Sequence, residues 1–309
     1  MSLLRSLRLS APGRYAQWAF HFVRRCFVRM LNRHAVRAYA AHRQAFVLSA
    51  PERGWLDELR RNGIVLIEGL FDEQRIAAIH HRLEQLLANP ANLDRANVNA
   101  YNHERKLRLE APLDRIPDLV DLVFNETVCK IAAVYKGFVP VHVFNVYKTL
   151  PGDRLSGSSY FHRDELGDMS VFVYLHDVDA HSGASVFVRG SHGYTPRSCS
   201  LRSNFEKGLA DANPAYSDAE VERLYPRSAW AQSIARRGAV VMADVTGIHK
   251  GPFWDLHGDG NVPRSVVHVV FRQKNLFRSG YVPPRHAPEA LLAQLGSAGR
   301  LVSRQYADA

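Results

Sequence analysis

Past Gly137 the sequence changes texture, and that change limits the fold more than any other feature of the chain. Before it, apolar residues recur at helical spacing. Residues 55–59, 74–88 and 114–135 read as helices, the last with Pro117 near its start, and residues 63–67 read as a short strand. After it come short runs rich in β-branched and aromatic residues, bounded by Gly and Asp: 141–149, 158–162, 170–175, 184–188, 238–242 and 265–271. Helices first, then about seven or eight strands with wide loops, predict an α+β protein built on a β-sandwich or barrel. Residues 89–112 read as irregular and polar. A long polar insert covers roughly 194–235, and the tail from Pro288 has the pattern of a short helix.

One strand end carries Phe161-His162-Arg163-Asp164, and 85 residues beyond Asp164 stands His249 in Gly247-Ile248-His249-Lys250-Gly251. Residues i and i+2 of a strand share a face, so His162 and Asp164 can reach one ion together. His249 follows the strand 238–242 by a short turn and can meet them from a neighbouring strand. Two imidazoles and one carboxylate leave half of a metal's coordination sphere open, the donor set of non-haem Fe(II) oxygenases, with zinc the main competitor on ligand type. His-x-Asp is a weak signal by itself in a chain with 15 histidines, and a second match exists at His257-Gly258-Asp259. That match sits in a Gly-flanked loop and reads as a surface turn.

Arg264 opens the last apolar run. A guanidinium fork grips a carboxylate at two points, which an ammonium cannot do as well. If Arg264 faces inward, Val266, His268 and Val270 share its face; the alternative is a solvated arginine at a strand end.

The chain is also asymmetric in charge. Of a net +10, nine charges come from arginines within residues 1–50, which contain no Asp or Glu, leaving about +1 (10 − 9) for the rest. Residues 15–41 read as one basic amphipathic helix, with Ala19, Val23, Cys26, Phe27, Met30 and Leu31 on its apolar side. Three uses fit it: packing on the main domain, lying on an anionic membrane surface, or serving as an organellar transit peptide. No recognisable nucleic-acid module accompanies it. No apolar run approaches a membrane span. The cysteines, Cys26, Cys129 and Cys199, are scattered and odd in number, which fits a reducing compartment. The expectation is a cytoplasmic protein, with peripheral membrane contact through 15–41.

Residues 55–280 resemble the phytanoyl-CoA dioxygenase family of Fe(II)/2-oxoglutarate oxygenases. The resemblance rests on the opening Arg61-Asn62-Gly63-Ile64-Val65-Leu66-Ile67-Glu68-Gly69-Leu70-Phe71 and on His162-Arg163-Asp164. It continues through Val171-Phe172-Val173-Tyr174-Leu175-His176-Asp177-Val178, then Gly183 before Val186-Phe187-Val188-Arg189-Gly190-Ser191-His192, and ends with His249 and Arg264. It implies a double-stranded β-helix (jelly-roll) core with flanking helices. It implies His162, Asp164 and His249 as iron ligands, Arg264 as partner of the distal carboxylate of 2-oxoglutarate, and O2 as the oxidant. Asn145, Tyr147 and Lys148, on the strand before His-x-Asp, are candidates for further co-substrate contacts. The retained Asp164 points to hydroxylation, since related halogenases lack a carboxylate there.

Two departures stand out: a 15-residue gap from His249 to Arg264, and the basic extension. The expected organisation is an extension over 1–50, a catalytic unit over 51–280 and a tail over 281–309. The rival reading is a jelly roll that binds a metal or ligand without catalysis. The expected partner is a small molecule. Tyr160, Phe161, His176, Arg189 and Trp254 are candidate pocket residues; the specificity loops, 89–112 and 194–235, carry no readable motif, and nothing in the chain specifies an oligomeric state.

Overall fold

The computed structural model describes residues 32–94, 106–151, 159–164, 168–192, 216–251, 260–272 and 288–304, with residues 19, 22, 23, 26 and 30. Helices of seven or more residues are numbered here. They are α1 (Arg33–Ala41), α2 (Ala50–Asn62), α3 (Glu73–Leu87), α4 (Glu126–Lys136), α5 (Asp218–Leu224) and α6 (Ser297–Ser303). The strands are β1 (Ile64–Ile67), β2 (Lys106–Arg108), β3 (Val141–Thr149), β4 (Met169–Tyr174), β5 (Val186–Val188), β6 (Trp230–Gln232), β7 (Val240–Ala243), β8 (His249–Lys250) and β9 (Arg264–Arg272).

The strands form two antiparallel sheets. A six-stranded sheet runs in the order β1-β7-β4-β9-β3-β2, and a three-stranded sheet runs β6-β5-β8. This is the expected double-stranded β-helix. The large sheet is buried on both faces, and its residues divide by parity. On β9, Val267, Val269 and Phe271 join the helices in the main core, while Val266 faces the other way with Tyr147, Tyr174 and Val241. Burial on both sides explains why these strands read as continuous apolar runs.

Local sequence sets the helix ends. Ser49 caps α2, and Ser49 and Glu52 form a reciprocal capping box. Glu52 also accepts from Thr127 Oγ1 at 3.0 Å, which ties α2 to α4. Gly63 ends α2 at φ 77°, a left-handed conformation that suits glycine. The expected helix over 114–135 is instead broken. Prolines 112 and 117 start separate short turns, and Asn125 caps α4 by accepting from Val128 N at 3.2 Å. In the tail, Ala298 and Val302 of α6 enter the main core, and its first amides donate to Glu126.

The basic extension divides at Asn32, a buried turn residue. Beyond it, α1 lies against the domain: Ala35 O accepts from Val139 N at 3.3 Å, and Tyr39 packs on the core. Residues 19, 22, 23, 26 and 30 are helical and exposed. Among the described residues, no helix is long and apolar enough to cross a membrane.

Candidate metal and co-substrate site

The two sheets enclose a cavity of about 240 Å³, and His162, Asp164, His249 and Arg264 all line it. Short bridges bring the first three together. His162 and His249 exchange backbone hydrogen bonds (2.8 and 3.0 Å), and Asp164 N donates to Val245 O at 2.8 Å. One ligand atom from each residue falls within 4.8 Å of the others. Asp164 places one oxygen 3.7 Å from His162 Nε2 and the other 3.6 Å from His249 Nε2.

Backbone carbonyls orient both imidazoles. His162 Nδ1 lies 2.8 Å from Tyr160 O, and His249 Nδ1 lies 2.9 Å from Gly247 O. A carbonyl can only accept, so each Nδ1 carries the proton and each Nε2 lone pair faces the centre. Burial, then the neighbouring His249, pushes His162 down to about 4. Burial pushes Asp164 up, but His249 and His162 override it and hold its carboxyl well below the usual carboxylate range. Burial lowers His249 as well, and its interaction with Asp164 outweighs that and raises it. The site thus holds one anionic carboxylate between two imidazoles, a trio that a cation would complete.

A second layer fixes this geometry. Arg163, buried and standing between His162 and Asp164 in the sequence, donates through Nη1 to Thr246 O and to Ser191 O (3.1 Å). Ser191 Oγ donates to Val188 O at 2.6 Å and accepts from Ile248 N at 2.7 Å, so the Gly-Ser-His segment clamps the loop that presents His249. Gly247 is required in that loop: a Cβ there would lie 2.4 Å from the Phe187 ring. Lys250 pairs with Asp218 at 2.9 Å and sits 4.4 Å over the Phe161 ring, pinning α5 against the small sheet.

Arg264 faces inward and is only 2% exposed. Its Nη1 donates to Gly183 O and Ser185 Oγ, both at 3.0 Å. Among the described residues its Nε has no hydrogen-bond partner, and neither has the Oγ1 of Thr149, its partner across the ladder. Among the described residues no carboxylate pairs with this guanidinium. Buried polar atoms are rarely left unsatisfied, and two such atoms on residues paired across the ladder fit a missing partner such as a carboxylate.

Of the three co-substrate candidates on β3, only Tyr147 lines the cavity. Asn145 is on the same side of the sheet, opposite His268 in register, but does not line it. Lys148 points to the helical side, where its Nζ meets Glu84 Oε2 at 2.5 Å. Parity decides this, since Tyr147 and Lys148 are neighbours and must face opposite ways. Phe161 is fully buried, His176 accepts from Ser265 N on the far side at 3.0 Å, and Arg189 is exposed. None of these, nor Tyr160, lines the cavity. Trp254, His257 and Asp259 lie outside the described residues.

Residues not anticipated also line the cavity. Lys106 on β2 approaches the Tyr147 ring at 5.0 Å. Its signal was the alternation Lys106-Leu107-Arg108-Leu109 inside a stretch that reads as irregular. Ser170 and Phe172 on β4 flank His268, whose Nε2 lies 3.1 Å from Ser170 Oγ and whose ring stacks on Phe172 at 4.3 Å. Burial pushes His268 down to about 3, so it is neutral at physiological pH.

The sequence profile of the family described as phytanoyl-CoA dioxygenase (PhyH) matches residues 59–252, more than half of the chain. No curated protein matches in a sequence comparison. Among solved structures the chain is similar to EctD from S. alaskensis with 2-oxoglutarate and 5-hydroxyectoine. The identity is 19%, over 73% of this chain and 76% of that one, with a TM-score of 0.53. It is also similar to the epimerase SnoN in complex with Fe3+, alpha ketoglutarate and nogalamycin RO (17% identity, 77% and 94% covered, TM-score 0.51). AviO1 from Streptomyces viridochromogenes Tue57 is a third (17%, 77% and 100%, TM-score 0.50). At these identities the likeness is one of fold, and the profile match is what shows descent. The chain belongs to the phytanoyl-CoA dioxygenase family.

Proposed function

We propose that this protein is an Fe(II)- and 2-oxoglutarate-dependent dioxygenase that hydroxylates a small molecule. One observation carries the reading: a single cavity holds both an open-sided His/Asp/His trio and a buried arginine without a carboxylate partner among the described residues. The first suits Fe(II) and the second suits the far end of a dicarboxylate. With O2, the bound iron and 2-oxoglutarate supply the oxidising chemistry, giving succinate, CO2 and a hydroxylated substrate.

The chain's own residues supply position, charge and shelter. His162, Asp164 and His249 hold the metal, with Tyr160 O and Gly247 O setting the imidazole tautomers. Arg264 and Thr149 hold the distal carboxylate through the donors left unsatisfied. Lys106 adds a second positively charged side chain to the lining of the cavity. Phe172, Val186, Phe187, Val241 and Val245 give it apolar walls that exclude water. Asp164 fills the position that a halogenase leaves to a halide, which supports hydroxylation.

The test is succinate release from 2-oxoglutarate by anaerobically reconstituted protein exposed to O2, with Fe(II) binding measured separately. Asp164→Ala should lose both. Turnover in that variant at the wild-type rate would remove the trio from the mechanism.

A further inference from the structure

The helical residues Ala19, Phe22, Val23, Cys26 and Met30 are all exposed. Phe22, Val23 and Met30 show 57%, 64% and 59% of their surface. At about 100° per residue, the five positions fall within one arc of roughly 100°. The outcome differs from that of α1, whose Tyr39 packs on the core while Arg33, His34 and Arg37 remain exposed. An exposed apolar stripe such as Ala19, Val23, Cys26 and Met30 marks a surface meant to be covered.

Charge selects what covers it. The first 50 residues hold nine arginines and no acid, and arginines 24, 25 and 29 are interleaved with the stripe in sequence. A second copy of this chain would bring the same nine charges to the same seam, and the remaining 259 residues, at about +1 net (10 − 9), carry no acidic excess to offset them. A surface both apolar beneath and anionic above satisfies the stripe and the arginines together.

We propose that the stripe of Ala19, Val23, Cys26 and Met30 docks the protein on anionic lipid bilayers, with Val23, Cys26 and Met30 entering the acyl boundary and the net positive charge of residues 1–50 drawing the segment to the headgroups. The site is independent of the cavity, so its failure and that of the catalytic reading are distinguishable.

The full-length protein is co-sedimented with vesicles of phosphatidylcholine alone and of phosphatidylcholine with one-third phosphatidylglycerol. The expected result is at least tenfold tighter binding to the anionic vesicles, weakening as salt rises. The double substitution Val23→Glu/Met30→Glu should reduce that binding at least tenfold without changing the unfolding midpoint. Equal binding to both vesicle types, no binding to either, or undiminished binding by the double variant overturns the proposal. So does a dimer, seen by light scattering, that the double substitution dissolves, since that would assign the stripe to a second copy.

Discussion

Arg264 allows stability and binding to be separated in one variant. It is buried, has two neutral acceptors and lacks a carboxylate partner among the described residues. Burying such a charge costs several kcal/mol, and two charge-assisted hydrogen bonds return about 1.5–3 kcal/mol each. These effects nearly cancel, so Arg264→Met should change the ligand-free stability by no more than about 1 kcal/mol, whereas truncating a packed core residue such as Ile76 to Ala costs about 2–5 kcal/mol. Binding should behave differently. At 100 times its Kd, 2-oxoglutarate adds about 2.7 kcal/mol to the wild-type protein. Losing about 3 kcal/mol of bidentate contact weakens Kd roughly 100-fold. At the same ligand concentration the variant then gains only about 0.4 kcal/mol. The assay is urea unfolding of Mn(II)-loaded protein with and without 2-oxoglutarate. A variant that keeps the wild-type increment would show that Arg264 does not hold the co-substrate. A loss above about 3 kcal/mol without ligand would make Arg264 a structural tie instead.

Two further substitutions test the surrounding structure. His142 is buried against Phe124, and burial pushes it down to about 3, below its unfolded value. Between those two values the unfolded chain takes up a proton that the native state refuses, so this group makes stability fall as pH falls. From pH 7 to 5 the loss is about 2 kcal/mol, at 1.36 kcal/mol per pH unit below 6.5. Urea unfolding of His142→Phe at both pH values should show a shallower pH dependence by that amount; parallel curves would contradict it. Lys148→Met removes only the half-exposed pair with Glu84. It should leave the KM for 2-oxoglutarate within about twofold and cost under about 1 kcal/mol. A tenfold rise in KM would return Lys148 to the site.

The convergence of His162, Asp164 and His249 was legible because its signal is local. His162 and Asp164 sit two apart, and His249 follows a strand by one short turn. Arg264 was legible only in company with them. The strand candidates were not resolved because β3 is buried on both faces, with Val143, Phe144, Val146 and Tyr147 all buried. Without an apolar/polar alternation the register cannot be read from residue type, and Lys148 looked as eligible as Tyr147. Parity from Arg264 would have helped, since Thr149 stands opposite it. Lys106 was hidden because β2 has only three residues and owes its place to the ladder with β3. The split near Asn125 had a readable cap, Asn125-Glu126-Thr127-Val128, overshadowed by the continuous apolar pattern around it.

The metal and co-substrate positions are tested most directly by a crystal structure of the protein grown anaerobically with Fe(II) and 2-oxoglutarate. The metal should lie on His162 Nε2, Asp164 and His249 Nε2, with the distal carboxylate of 2-oxoglutarate on Arg264 and Thr149. Metal at His257 and Asp259, or a carboxylate seated away from Arg264, would contradict these positions.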